Sequence, residues 1–298
     1  MGDRVASLRE AVASIPDGSV VALGGSILRR HPMALVHELV RQGKRDLVLL
    51  GWNNALDVDL LVAAGCVRRV ETSYVGLYVH GLAPNFRRAV EQGRVEVVEW
   101  SETSAQDRFK AGASGLTFYP SKVLLGSDLH RRNPQVREVT CPFTGERYAA
   151  VPAATPDVAL VHMHYSDRRG NVGLLPRRVT DNEVDILIAK SARRAIVSVE
   201  QIVSDEYVRE HAHDTVLPSP FVAAVVEAPF GAHPCACDRF YDYDLDHVAL
   251  YKEHAASDEA FQEYLDRFVR STRTHEEYLG RVGLRHLLRL RRPNPLVG

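Results

Sequence analysis

Short apolar runs alternate with stretches of helical periodicity through the first half of the chain. Val20-Val21-Ala22-Leu23 has the pattern of a buried strand. After it, Leu35, Val36, Leu39 and Val40 fall on one face of a helix whose first turn holds Pro32. Leu47 to Leu50, Val67 to Val70 and Val95 to Val98 repeat the strand signal, with helices expected at Asp57 to Ala64 and Pro84 to Gln92. A helix from about Thr103 to Ala113 leads to Val123-Leu124-Leu125, which we read as another strand. Continuously apolar strands separated by helices predict an α/β fold, a mostly parallel sheet covered by helices on both faces.

The second half keeps the strand signal at Val158 to Val161, Ala195 to Val199 and Phe221 to Val226. Asp167-Arg168-Arg169-Gly170-Asn171 is a turn between two strand-like pieces, with Gly170 or Asn171 supplying the positive φ. From about residue 257 the pattern is amphipathic helix, ending in an Arg-rich helix and solvated tail at Arg285 to Arg292. With no internal repeat, low-complexity tract or linker-like stretch, a single domain over residues 1–298 is expected.

Composition narrows the function classes. Hydrophobic residues make up 45% and charged residues 25% of the chain, enough for a sizeable core. A formal net charge of −1 removes any bulk electrostatic case for nucleic-acid or membrane binding. Met1 to Glu10 has no apolar core of a signal peptide, and Ala6 stands where a myristoylation signal needs Ser or Thr. No apolar run approaches the roughly 18 residues of a membrane helix. Four cysteines are too few for a disulfide scaffold, so the expected compartment is a reducing cytoplasm.

Ligands of open α/β sheets sit at the carboxyl ends of strands. The first such loop is Gly24-Gly25-Ser26-Ile27-Leu28-Arg29-Arg30-His31-Pro32. Its glycines would let a ligand approach backbone N–H groups, with Arg30 and His31 adding positive charge; a tight strand-to-helix turn fits the same residues. It is not a dinucleotide fingerprint, and no Gly-Lys-Ser/Thr phosphate loop occurs in the chain. A second loop, Glu99 to Ser104, places Glu102 at a helix start, where the macrodipole favours its charge and Ser101 or Thr103 can cap. Gly126-Ser127 is a third candidate, or an ordinary polar turn. His233-Pro234-Cys235-Ala236-Cys237 and His211-Ala212-His213 lack the spacing of a known zinc site, and we expect a role other than metal binding. His162 and His164 share one strand face. No Ser-His-Asp set or Gly-x-Ser-x-Gly elbow can be assembled.

The stretch Asp17-Gly18, Val21 to Gly25 and Pro32 resembles the N-terminal signature of family I CoA-transferase alpha subunits. Arg41-Gln42-Gly43, Pro142-Phe143, Gly231-Ala232-His233-Pro234 and Phe240 to Asp244 are similar to the glutaconate CoA-transferase branch, so the likeness covers nearly the whole chain. It implies the CoA-transferase (sugar-isomerase-like) fold. The implied chemistry is transfer of CoA between carboxylic acids through a glutamyl-CoA thioester on a partner beta subunit. That glutamate sits in a Glu-Asn-Gly type signature, which this chain lacks. The coenzyme A thioester is then a substrate, no cofactor is held covalently, and the chain works as half of a hetero-oligomer. The resemblance assigns Gly24, Gly25, Ser26, Gly126 and Ser127 to substrate or CoA binding. Ser26 stands where the family usually has Phe. Arg30 matches the glutaconate branch and implies a clamp for a second anionic group on the substrate or for a CoA phosphate. Glu102 stands where transferases tend to carry Gln, and the related steroid-degradation ring hydrolase carries Glu. This substitution implies an alternative, ring opening of a CoA thioester with Glu102 as base. A ligand-binding protein on the same fold, without catalysis, is a further alternative.

Overall fold

The computed structural model describes residues 2–175, 182–293 and 295–296. The strands are β1 (Val20–Leu23), β2 (Leu47–Leu50), β3 (Asn53–Asn54), β4 (Val67–Thr72), β5 (Tyr74–Val75), β6 (Glu96–Glu99) and β7 (Phe118–Ser121). They continue as β8 (Arg137–Thr140), β9 (Arg147–Pro152), β10 (Val158–Ser166), β11 (Val172–Gly173), β12 (Ala195–Ile202), β13 (Thr215–Leu217) and β14 (Val222–Glu227). Helices are α1 (Leu8–Ala13), α2 (Met33–Arg41), α3 (Leu56–Ala63), α4 (Pro84–Glu91), α5 (Glu102–Ala113) and α6 (Asp128–Arg132). They are followed by α7 (Asn182–Ser191), α8 (Asp205–Glu210), α9 (Leu245–His254), α10 (Asp258–Leu265), α11 (His275–Val282) and α12 (Leu284–Leu290).

Strands β14, β12, β10, β1, β2, β4 and β6 pair side by side in parallel, with β11 and β13 added antiparallel beyond the carboxyl half of β10. The expected mostly parallel sheet is therefore present. Every residue of β10 is buried. Alternate residues of one strand feed two cores: Val21 and Leu23 join one, Ala22 the other. The first core holds α2, α3 and residues of α9 to α11; the second holds α5, α7 and the small antiparallel sheet β7-β9-β8. A sheet buried on both faces demands apolar residues at every position, which is why these strands show as continuous runs rather than alternation.

The expected strand at Val123 to Leu125 is a turn instead. Leu124 is buried while Val123 is half exposed, and Ser127 N–H donates to the Leu124 carbonyl. The preceding strand is β7, at the edge of the antiparallel sheet, where Pro120 removes one donor without harm. Gly170, at φ +88°, takes the left-handed position expected in the β10–β11 turn. The Arg-rich end differs from a free tail: Arg292 N–H donates to Phe240 O, and its guanidinium pairs with Asp242. Among the described residues no helix is long and apolar enough to cross a membrane.

Candidate active site

The loop after β1 is built inward. Gly24 N–H donates to Leu160 O (2.9 Å) and Gly25 N–H to Asp185 Oδ1 (2.7 Å). Both donors expected to face an anion are consumed within the protein. Gly25 has φ +98°, and a Cβ there would lie 2.6 Å from His31 Nδ1 and 2.7 Å from His31 N. The glycine is needed because the His31 ring occupies the place of a side chain. Gly25→Ala is expected to lower stability by about 2–4 kcal/mol, combining a forbidden φ with a clash; denaturant titration showing no change would refute this.

Arg30 also departs from its expected role. Its side chain is fully buried, with Nη2 3.0 Å from Asp185 Oδ2 and Nη1 2.8 Å from Asp238 Oδ2. Arg29 makes a second contact to Asp238 at 2.9 Å. Two carboxylates neutralise Arg30, so it ties the loop to α7 and cannot clamp a substrate anion from this position. Ser26 is buried too, exchanging backbone hydrogen bonds with Arg29. Ser127 caps α6, accepting from His130 N–H and donating to Leu124 O, after Gly126 at φ +81°. None of these residues lines the pocket described next.

Glu102 begins α5 immediately after the carboxyl end of β6. Ser101 caps the helix by accepting from Ser104 N–H, while Ser104 Oγ accepts from Ser101 N–H. This reciprocal pair satisfies helix donors without using the Glu102 carboxylate. Glu102 Oε1 instead accepts from Asn53 Nδ2 at 2.9 Å. Glu102 and Asn53 line an open cavity of about 380 Å³ with Ile27, Ser73, Tyr74 and Tyr78. Ser73 Oγ donates to Trp52 O (2.7 Å), and β3 pairs with β5 to hold Asn53 opposite Tyr74. The wall thus combines residues from the loops after β1, β2, β4 and β6, all ending at one sheet edge. It offers an amide, three hydroxyls and one exposed carboxylate near a helix N-terminus, suited to hydrogen-bonding an acyl group or directing a proton.

Asn53, Ser73, Tyr74 and Tyr78 line this candidate site although no loop of the sequence pointed to them, and Ile27 lines it from within the loop after β1. The signal was available: once β2 and β4 are parallel neighbours of β1, their following loops must lie beside it.

His162, His164 and the His233–Cys237 cluster are internal, whereas His213 of the His211-Ala212-His213 stretch is exposed. His233 contacts Tyr278 OH through Nδ1 and Asp244 Oδ2 through Nε2. His162 contacts Ser198 and Glu200, and His164 Nδ1 accepts from Leu175 N–H. His162, Glu200 and Cys237 lie close enough to share a metal ion, as do His233, Asp244 and His247. Protein hydrogen bonds already engage the histidine and carboxylate atoms, and burial pushes the Cys235 and Cys237 thiols far up, against the thiolate that a metal needs.

With this geometry in place, comparison with known proteins is decisive. The family described as Coenzyme A transferase matches residues 5–228. The chain belongs to that family. Among its relatives, one of the subunits of 3-oxoadipate CoA-transferase from Pseudomonas knackmussii is 37% identical, over 93% of this chain and 97% of the relative. An uncharacterized protein of Archaeoglobus fulgidus is 39% identical over 98% of this chain, which spans 65% of that longer relative. The cholesterol ring-cleaving hydrolase IpdA subunit of Rhodococcus jostii is 32% identical over 90% of this chain and 92% of its own. The crystal structure of glutaconate coenzyme A-transferase from Acidaminococcus fermentans superposes with a TM-score of 0.91 at 30% identity, covering 97% of this chain and 96% of that one. The family and fold expected of this CoA-transferase chain both hold.

Proposed function

We propose that this chain is the alpha-type subunit of a heteromeric CoA-transferase that moves CoA between carboxylic acids. The observation that supports it is the Glu102–Asn53 pocket at the carboxyl edge of the sheet, in a chain similar along nearly its full length to the corresponding subunits of two such enzymes. The beta subunit supplies the nucleophilic glutamate. Its carboxylate adds to the thioester carbonyl, CoA leaves as thiolate, and an acyl–glutamyl anhydride remains. The thiolate then attacks the glutamyl carbonyl, releasing the first carboxylate and leaving a glutamyl-CoA thioester. A second carboxylic acid reverses these steps and departs as the new acyl-CoA. This chain contributes the hydrogen-bonding wall. Substrates of the kind its relatives are named for, 3-oxoadipate and glutaconate, carry a second carboxylate. Arg30 is committed to Asp185 and Asp238, so the partner subunit is the proposed source of a cation for it. A cytoplasmic hetero-oligomer goes with this reading.

One observation favours a second reading, CoA-thioester-dependent ring hydrolysis. Glu102 lines the pocket as an exposed carboxylate, and its contact with Asn53 holds it there, where a carboxylate can act as a base. The complex reconstituted with its beta subunit separates the two. After acyl-CoA addition, hydroxylamine is expected to inactivate it by capturing the glutamyl thioester, and Glu102→Gln is expected to keep activity within about tenfold. Immunity to hydroxylamine, with loss of about 100-fold or more in Glu102→Gln, would overturn the transferase in favour of the hydrolase.

A further inference from the structure

Ile27, a wall residue of the pocket, is a β-branched side chain at φ +57°. That left-handed conformation is disfavoured for such a residue and persists only where surrounding contacts over-determine it. Both backbone groups of Ile27 are held. Its N–H donates to Asn53 O at 2.7 Å, and its carbonyl lies 2.8 Å from His31 Nε2. The other ring nitrogen, Nδ1, lies 3.0 Å from Asp57 Oδ2 and 3.1 Å from Gly24 O. Both nitrogens of a fully buried imidazole therefore face oxygen acceptors, and a neutral ring has only one N–H to offer. Asp57 is itself held as an acceptor, by Ala55 N–H (2.7 Å) and Asn54 Nδ2 (2.9 Å).

We propose that His31 is a positioning residue: an imidazolium paired with Asp57, it clamps Ile27 in its left-handed conformation and so fixes Asn53 and Glu102 at the pocket. The mechanical path is short, His31 to Ile27 O, Ile27 N–H to Asn53 O, Asn53 Nδ2 to Glu102. Burial opposes the charge on His31, but the Asp57 carboxylate, the Ile27 carbonyl and Asp185 together outweigh it and hold the ring above the ordinary histidine value. Burial likewise opposes charge on Asp57, and His31 with the Ala55 N–H and Asn54 amide together more than offset it. The other charged or titratable groups facing this pair are Asp185 from α7, which favours the imidazolium, and the Cys235 thiol near Asp57; Arg30 adjoins them through Asp185. A raised pKa means that the clamp is complete below the ordinary histidine value and is lost as pH rises through the folded value.

The assignment of Glu102 to the site rests on the proposed function; the charge on His31 does not. The test uses the reconstituted two-subunit complex. Nitrogen-15 NMR of histidine-labelled complex at neutral pH is expected to show both ring nitrogens of His31 protonated. His31→Gln is expected to lower kcat about tenfold and to lack the alkaline limb of the wild-type pH profile. Ile27→Gly, which removes the conformational penalty, is expected to recover about threefold of that loss in the double variant. A neutral His31 ring, or a double variant no better than His31→Gln alone, would overturn the proposal. A wild-type complex that transfers no CoA yet shows a doubly protonated His31 would count against the proposed function and leave the charged pair standing.

Discussion

Replacing Arg30 by methionine is expected to destabilise the chain by about 3–5 kcal/mol, seen as a fall in Tm of roughly 10 °C. Methionine fills a similar volume, so the cost is electrostatic rather than a cavity. It takes the direct ion pair from Asp185, which is 1% exposed and keeps the Gly25 N–H and the more distant His31, and among the described residues it leaves Asp238 paired with the half-exposed Arg29. Removing one member of a buried ion pair costs more than the pair contributes, because the remaining charge is left out of water without a partner. Adding Asp185→Asn to Arg30→Met is expected to restore part of the loss, since an amide carbonyl still accepts from Gly25 N–H without carrying charge. A substrate clamp would behave differently: stability would hold and KM for an anionic substrate would rise. Unchanged thermal unfolding in Arg30→Met would return Arg30 to that role.

Acid is expected to weaken the packing of the carboxyl-terminal helices well before it protonates the carboxylates in bulk. His37, His233, His247 and His275 are all buried, packed among Tyr264, Phe268 and Tyr278. Burial pushes every one of these histidines down, His275 to about 4 and His247 to about 3. His275 Nε2 donates to Pro229 O at 2.8 Å, which leaves Nδ1 as the bare nitrogen of a neutral ring. The sign follows from proton counting. Below the ordinary histidine pKa of 6.5 the unfolded chain takes up protons that the folded chain refuses, so stability is complete above that value and lost as pH falls. His275 alone accounts for on the order of 3 kcal/mol between pH 6.5 and 4, and each further neutral histidine steepens the slope by up to about 1.4 kcal/mol per pH unit. Urea midpoints at pH 7.5, 6 and 5 should decline with increasing steepness, and His275→Phe should decline less. Midpoints that do not move across this range would show that these rings already carry charge when folded.

The same neutral rings show why the sequence was only partly legible here. His233-Pro234-Cys235-Ala236-Cys237 stands out as a string of ligand-type residues. Its surroundings, Asp244, His247 and Tyr278, lie up to 45 positions away and make it a packed hydrogen-bonded cluster. Hydrogen-bond partners at that separation leave no periodic trace along the chain.

Strand positions were legible because a sheet covered on both faces requires unbroken apolar runs. Val20 to Leu23, Leu47 to Leu50 and Val158 to Val161 each lie within the strand observed. Val123 to Leu125 misled because three consecutive apolar residues also suit a turn that buries only Leu124, and β7 was hidden by the proline an edge strand tolerates. In the site, the chain alone pointed to the loop after β1 and to Glu102. It could not show what those groups do, because a donor's direction depends on the acceptor it meets. Gly25 meets Asp185 160 residues later, Arg30 meets Asp238 208 residues later, and Glu102 meets Asn53 49 residues earlier. Local patterning determined the parallel strands of the main sheet and the turns between most of them. Only the tertiary structure decided that the glycine loop spends its hydrogen bonds inward while Glu102 is turned toward the pocket, since burial and long-range pairing set which polar groups remain for chemistry.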